Sequence, residues 1–223
     1  MARLIPPLLG PRTVVVPFQN GVEAPALLAE AVPARQVAGG VAYISASIVQ
    51  PGHIRHVGKF ASLRVGALDP SQADALARLG EAGRRAADVV GHVDRDARAL
   101  WEKFVFLVAL SGLTAVSRQP IGVVRADPDL RAALVAAMRE TVAVAHAHGV
   151  TLSEDLVDTH LATVDRLPAD VKASMAHDLD KGKPLEAPWL SGGVARLGAA
   201  AGVDTPVNRT LYAALKPYLN GRQ

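Results

Sequence analysis

The composition of this chain is that of an ordinary globular protein, with 223 residues, 50% of them hydrophobic and 20% charged. Its basic residues are scattered and the formal net charge is only +3, so the pI of about 9.4 does not indicate a nucleic-acid-binding protein. The lack of cysteine excludes disulfides, cysteine-bound metals and thiol nucleophiles, and it favours a reducing compartment.

The N-terminal residues 1–12 do not have the pattern of a signal peptide, because prolines and Gly10 interrupt the apolar run. Further on, the most apolar stretch, residues 104–116, contains Ser111 and Thr114 and is too short to span a bilayer. We therefore expect no membrane-spanning segment and a cytoplasmic location.

The first predicted elements are a strand and a helix joined by a polar turn. Residues 13–18, TVVVPF, form a β-branched apolar run bounded by turn residues, which predicts a buried strand. The turn Gln19-Asn20-Gly21 follows, and then a predicted helix over residues 22–32. Ligands of parallel α/β sheets bind at the carboxyl ends of strands, where Asn20 would lie. Asn-Gly is also common turn chemistry, and the pattern alone favours this interpretation of Asn20 over a ligand contact.

The next segment, residues 36–66, contains three strand-like runs separated at 50–52 and 59–61. This pattern predicts an antiparallel meander or hairpin at the edge of a sheet. His53 and His56 lie three residues apart in the second run, on opposite faces of the predicted strand. We therefore expect surface histidines rather than a pair of metal ligands.

A charged break ends this part of the chain. A helix is predicted over residues 71–86 and a closing strand over residues 87–93. The run Asp94-Arg95-Asp96 follows. We place the domain boundary there, between an α/β domain (1–94) and a helical domain (95–223).

The stretch from Leu100 to Val116 is apolar almost all the way round, which predicts a helix buried in the centre of the second domain. Lys103 lies in its first turns, and Leu107 and Ser111 follow on the same face, four and eight residues later. On spacing alone, a lysine whose stem packs while its ammonium reaches solvent is the commoner case.

Start and stop signals predict further helices after this one, over 128–148, 153–166, 170–181, 188–201 and from Thr205-Pro206 onward. The histidines of this half, at 146, 148, 160 and 177, have no partner at ligand spacing, so no metal site is predicted.

Polar residues gather between residues 174 and 192. Ser174 and Asp178 are one helical turn apart, and Glu186 lies just before a predicted helix. A carboxylate at that place gains from the helix dipole and can accept a hydrogen bond from a ligand hydroxyl. It can equally be a capping acid, so both interpretations stay open.

Six short motifs carry a resemblance that covers almost the whole chain. They are QNG at 19–21, QPGHIRHVG at 50–58, LWEK at 100–103 with LTA at 113–115, EDL at 154–156, the spaced Ser174-Met175, Asp178, Gly182 and Glu186, and TPVNRTLYAALK at 205–216. Taken together and in this order, they resemble ketopantoate reductase (2-dehydropantoate 2-reductase). The resemblance implies α/β followed by all-α: a partial Rossmann-type sheet, then a helical domain similar to those of the 6-phosphogluconate dehydrogenase superfamily.

The activity that the resemblance implies is the NADPH-dependent reduction of 2-dehydropantoate to pantoate, in pantothenate biosynthesis. Lys103 aligns with the family's catalytic lysine, which polarises and protonates the carbonyl oxygen as hydride arrives. Asn20 aligns with an asparagine near the nicotinamide, and Glu186 with the carboxylate that binds the substrate hydroxyl. Ser174 aligns with a residue that holds the substrate carboxylate, and we expect Ser111 to contact the substrate as well.

Three positions depart from the family pattern. The family carries asparagines four and eight residues after its lysine, where this chain has Leu107 and Ser111, and commonly another before Gly192, where this chain has Ser191. These replacements would make the pocket beside the lysine less polar. A related 2-keto acid is therefore an alternative to 2-dehydropantoate as the substrate.

The largest departure concerns the cofactor. The family begins with a GxGxxG fingerprint that holds the cofactor pyrophosphate at a helix N-terminus, and this chain contains no such motif. We therefore expect that this chain lacks the opening βαβ units. The uncovered sheet edge would favour association, for example as a homodimer. The chain alone would convert little substrate. The alternative function is a truncated, catalytically inactive helical assembly module.

Overall fold

The computed structural model describes residues 2–86, 92–94 and 98–222. Within it the chain divides into two compact units, one of Met1–Gln19 and Glu23–Leu100, the other of Asn20–Val22 and Trp101–Gln223. The domain boundary between residues 94 and 95 stays a prediction, and Arg95 and Asp96 of the charged break lie outside the described residues.

The first unit is built on a three-stranded sheet with short helices. Strands β1 and β2 pair antiparallel, and β3 pairs parallel with β2. The elements are α1 (Ala24–Ala29), β1 (Gly39–Gln50), β2 (His53–Gly66), α2 (Ala73–Ala86) and β3 (His92–Asp94). Of the predicted closing strand over 87–93, residues 87–91 lie outside the described residues.

A long hairpin replaces the three predicted runs of residues 36–66. The predicted turn at Pro51-Gly52 is confirmed, with Gly52 at a φ of 78°. The second predicted break, at 59–61, is wrong, because Ala61 still pairs with Ile44 inside β2. The strands absorb the irregularity as a register shift between Ile44 and Ala46, without ending β2. His53 and His56 are exposed, as expected.

The predicted strand over residues 13–18 is wrong as a regular strand. Only Val15 pairs, in an isolated parallel bridge with Val37. Pro17 has no N–H to donate, so the ladder cannot continue past it. The segment nevertheless contributes to the core, because Val14, Val16 and Phe18 pack against Ala38, Val65 and Leu76.

The second unit is helical. Its helices are α3 (Arg98–Ser117), α4 (Ile121–Ala126), α5 (Pro128–Ala147), α6 (Leu156–Arg166), α7 (Ser174–Asp180), α8 (Ser191–Ala201) and α9 (Pro206–Leu215). The part of α3 that belongs to this unit begins at Trp101. The prediction that α3 is the central helix is confirmed by the burial of Phe104, Val105 and Val108, each at most 2% exposed.

By length and composition α3 could cross a membrane, contrary to our expectation from residues 104–116. Its apolar window is 67% buried inside the fold, as in the core helix of a globular protein.

Several helix boundaries differ from the predictions. Helix α1 is shorter than the predicted 22–32, because Pro33 disfavours a helical Val32. Helix α4 was not predicted, and helices α6, α7 and α8 begin three or four residues later than predicted. Ser153 does not cap α6, since its hydroxyl hydrogen-bonds the Asp155 carboxylate instead. The predicted stop at Gly202 is confirmed, with a left-handed φ of 71°.

Glu140 on α5 holds the start of α9. Its carboxylate accepts hydrogen bonds from the backbone N–H of Val207 at 2.7 Å and of Asn208 at 2.9 Å. Thr205, the residue directly before α9, makes no capping hydrogen bond with its side chain. A carboxylate from a neighbouring helix therefore supplies the acceptor that N-terminal helix N–H groups require.

Replacing Glu140 by alanine is expected to destabilise the protein by about 2 kcal/mol, because two helix N–H groups lose their acceptor. Urea unfolding followed by circular dichroism measures this change. The matched control is Glu154→Ala, which removes an exposed loop carboxylate. Equal stability of the two variants would contradict the capping role.

Candidate active site

Lys103 lies in the second turn of α3, where its side chain is half-buried. Its Nζ donates a hydrogen bond to Oδ1 of Asn20 at 2.8 Å. This hydrogen bond holds the ammonium at a defined position on a mostly apolar helix. A lysine that only packed its stem would extend its ammonium into solvent instead.

Asn20 links the lysine to a carboxylate. Its Nδ2 donates to Oε2 of Glu186 at 3.0 Å, so one amide contacts both side chains. The adjacent Gly21 has a φ of 96°, and a Cβ there would lie 3.0 Å from the carbonyl oxygen of Trp189. Only glycine fits this turn without strain, and the close approach brings Asn20 beside the segment that carries Glu186.

Glu186 directly precedes a 3₁₀ turn over Ala187–Trp189 but makes no side-chain capping hydrogen bond. Of the two interpretations left open by the sequence, capping is therefore not what its carboxylate does. The side chain is exposed, and its second oxygen can accept a further hydrogen bond.

Burial lowers the pKa of Lys103 below its ordinary value, and the negative charge of Glu186 partly opposes this effect. Desolvation disfavours the charged ammonium, whereas the nearby carboxylate favours it. The arrangement thus presents a cation with weakened hold on its proton, beside a hydrogen-bonded amide. Such a group can donate a hydrogen bond, and then a proton, to an oxygen that becomes negative during a reaction.

The other predicted site residues differ in their surroundings. Ser111 is 1% exposed, Ser191 is fully buried, and neither hydroxyl has a hydrogen-bond partner among the described residues. Leu107, one helical turn after the lysine, is half-buried. Ser174 is the first residue of α7 and is exposed. The structure therefore brings together Asn20, Lys103 and Glu186, and its hydrogen bonds do not connect Ser174 to them.

Two features of this site were not predicted from sequence. The first is the Asn20–Glu186 hydrogen bond, which joins residues 166 positions apart. No local pattern encodes such a pair. The second is the packing of Gly21 on the Trp189 carbonyl, for which the Asn-Gly turn was the only signal.

Family comparisons match both parts of the chain. The family model described as ketopantoate reductase PanE/ApbA C terminal matches residues 97–219, and the model for ketopantoate reductase PanE/ApbA matches residues 1–70. A 2-dehydropantoate 2-reductase of Archaeoglobus fulgidus is 31% identical over 93% of this chain and 69% of its own length. The uncharacterised oxidoreductase YkpB of Bacillus subtilis is 26% identical over 96% of this chain and 71% of its own length.

A solved structure shows the same fold. The PanE/ApbA family ketopantoate reductase from Ralstonia eutropha superposes with a TM-score of 0.83 at 30% identity, over 97% of this chain and 70% of that one. The predicted fold class, a partial Rossmann-type α/β unit followed by a helical unit, is confirmed. The chain belongs to the ketopantoate reductase family.

Proposed function

We propose that this protein reduces 2-dehydropantoate, or a related 2-keto acid, to the 2-hydroxy acid with hydride from NADPH. The observation that carries the proposal is the hydrogen-bonded set of Lys103, Asn20 and Glu186. By the family resemblance, these residues correspond to the family's catalytic and binding positions. A reductase must stabilise negative charge that develops on the ketone oxygen, and a held ammonium supplies this stabilisation.

Each residue has a defined task in the proposed reaction. When bound, the reduced nicotinamide supplies the hydride to the carbonyl carbon. Lys103 donates a hydrogen bond to the ketone oxygen and transfers its proton there as the C=O electron pair moves onto oxygen. The lysine becomes a neutral amine and the product a hydroxyl. Glu186 accepts a hydrogen bond from a substrate hydroxyl, and Ser174 and Ser111 contact the substrate.

Asn20 is suited to lie beside a nicotinamide carboxamide. Its Oδ1 and its Nδ2 each make one hydrogen bond to the protein, and each has a second hydrogen-bonding position. The chain contains no glycine-rich fingerprint for the pyrophosphate, so we propose that NADPH binds this chain weakly by itself. The same feature supports the second candidate function, an inactive helical assembly module.

Leu107 supports the wider substrate class. It lies on the lysine's face of α3, one turn along, and places an apolar side chain where a polar one would be needed to bind a hydroxyl. A 2-keto acid with a branched apolar group therefore suits this position as well as 2-dehydropantoate does.

Replacing Lys103 by methionine is expected to lower kcat/KM at least a hundredfold, because the proton donor is lost while the stem is retained. The assay follows NADPH absorbance with 2-dehydropantoate and, separately, with 3,3-dimethyl-2-oxobutanoate, which lacks only the 4-hydroxyl. Lys183→Met, at an exposed lysine, is the control and should retain activity. Equal rates for the two variants would refute the role of Lys103. A wild-type chain that binds NADPH saturably but turns over neither keto acid would favour the assembly module.

A second prediction concerns pH. Lys103 acts as an ammonium, so activity is lost as pH rises through its lowered pKa, earlier than for an ordinary lysine. Glu186→Gln removes the charge that raises the pKa of Lys103, while the glutamine oxygen can still accept from Asn20. The titration midpoint should therefore move to lower pH in the variant. Carbon-13 NMR of Cε-labelled lysine measures this midpoint directly. The Lys103 signal is assigned as the one that is missing from the spectrum of Lys103→Met. An unchanged or higher midpoint would contradict the coupling.

We also propose a cytoplasmic homodimer. Ile48 and Ile54 pair across the hairpin and are 72% and 70% exposed, an apolar surface that association would cover. Light scattering at micromolar concentration should give twice the monomer mass, and Ile48→Asp should reduce it towards the monomer. A monomeric wild-type protein would contradict this proposal.

A further inference from the structure

A cavity of about 360 Å³ in the first unit is lined by three arginines, Arg12, Arg35 and Arg78. Ser71 and Asp74 contribute to the same wall. An adjoining cavity shares Arg12 and Arg78. We call this site the arginine cavity; none of its residues takes part in the proposed reduction.

The arginines come from separate segments, and a buried glutamine fixes the first of them. Gln36 is 7% exposed, and its Nε2 donates to the carbonyl oxygens of Gly10 at 2.7 Å and Thr13 at 3.0 Å. The turn closes on itself through the Gly10 N–H, which donates to the Thr13 hydroxyl at 2.9 Å. Arg12 therefore projects from a turn whose backbone is held in place.

A second buried glutamine fixes the other two segments. Gln72 is fully buried, and its Nε2 donates to the carbonyl oxygens of Arg35 and Val37, each at 2.9 Å. Its Oε1 accepts from the N–H of Leu68 and Asp69 at the start of the 3₁₀ turn that leads into α2, the helix of Arg78. All four hydrogen-bonding positions of this amide are used. The backbone around the arginine cavity is thus preorganised.

The charges in this cavity are not balanced by protein groups. Within the described part of the chain, none of the three guanidinium groups forms a salt bridge or side-chain hydrogen bond, and Asp74 is the single carboxylate of the lining. Just outside the lining, Oδ1 of Asp69 accepts hydrogen bonds from the N–H and hydroxyl of Ser71, which lower the pKa of Asp69, with a smaller contribution from the charge of Arg35. Three positive charges therefore line the cavity against one carboxylate in the lining and one beside it.

We propose that the arginine cavity binds the phosphate group of a phosphorylated small molecule. Planar guanidinium groups donate paired hydrogen bonds that match phosphate oxygens, and several on a fixed backbone bind a dianion more strongly than one flexible cation. The cavity volume lies in the range of small-molecule sites. This site stands independently of the proposed reductase function, since it uses other residues and needs no turnover.

The test uses inorganic pyrophosphate as the probe, with sodium chloride at matched ionic strength as the reference. Thermal unfolding and calorimetry should show a raised Tm and saturable binding. Arg35→Gln and Arg78→Gln should each weaken binding at least tenfold. Arg78→Lys should weaken it less, because the charge remains but the paired donors of the planar guanidinium are lost. Arg55→Gln, at an exposed arginine of the hairpin, should bind like the wild type. The Tm of each variant without pyrophosphate reports its folding.

Two results would overturn the proposal. One is the absence of a pyrophosphate effect beyond that of chloride, and the other is equal affinity in Arg55→Gln and both cavity variants. A competition arm identifies the source of the phosphate. Displacement of pyrophosphate by NADPH would assign the site to a dinucleotide, and displacement by ribose 5-phosphate but not by NADPH would assign it to a separate metabolite.

Discussion

The half-buried ammonium of Lys103 is the constraint on which this site depends. An apolar helix at the centre of a fold disfavours a charge, and burial alone would move the lysine towards its neutral form. Asn20 and Glu186 offset this cost, one by a hydrogen bond and the other by its charge. Burial thus weakens the hold of the ammonium on its proton, while the two contacts keep it charged and in place. The balance between these opposing effects sets the reactivity of the lysine.

Fixing those contacts requires backbone features far apart in the sequence. The left-handed Gly21 lets the Asn20 turn approach the carbonyl of Trp189, the last residue of the 3₁₀ turn that follows Glu186. Glu140 anchors α9 in the same helical unit, so the unit uses carboxylates from one segment to hold the backbone or side chains of another. In the first unit, two buried glutamines have the corresponding role.

Sequence patterns predicted the elements whose signals are local. The core helix α3, the hairpin turn at Pro51-Gly52 and the stop at Gly202 each follow from side chains within a few residues. At residues 13–18 a local feature limits the strand instead, because Pro17 has no N–H to donate and pairing is restricted to one bridge. The Asn20–Glu186 hydrogen bond and the arginine cavity could not be predicted, because each joins segments that only the fold brings together.

The central claim is that this site transfers hydride to a 2-keto acid, and isotopic labelling tests it most directly. NADPH deuterated at the transferring C4 position would be given with 2-dehydropantoate to this chain. A second sample would use the chain joined to the part of the Archaeoglobus relative that this chain does not cover, which by the family resemblance would hold the dinucleotide. The account predicts pantoate with one deuterium at C2 from the joined protein, formed at least a hundredfold more slowly when Lys103 is replaced by methionine. A folded, NADPH-binding joined protein that forms labelled product from neither 2-dehydropantoate nor 3,3-dimethyl-2-oxobutanoate would contradict it.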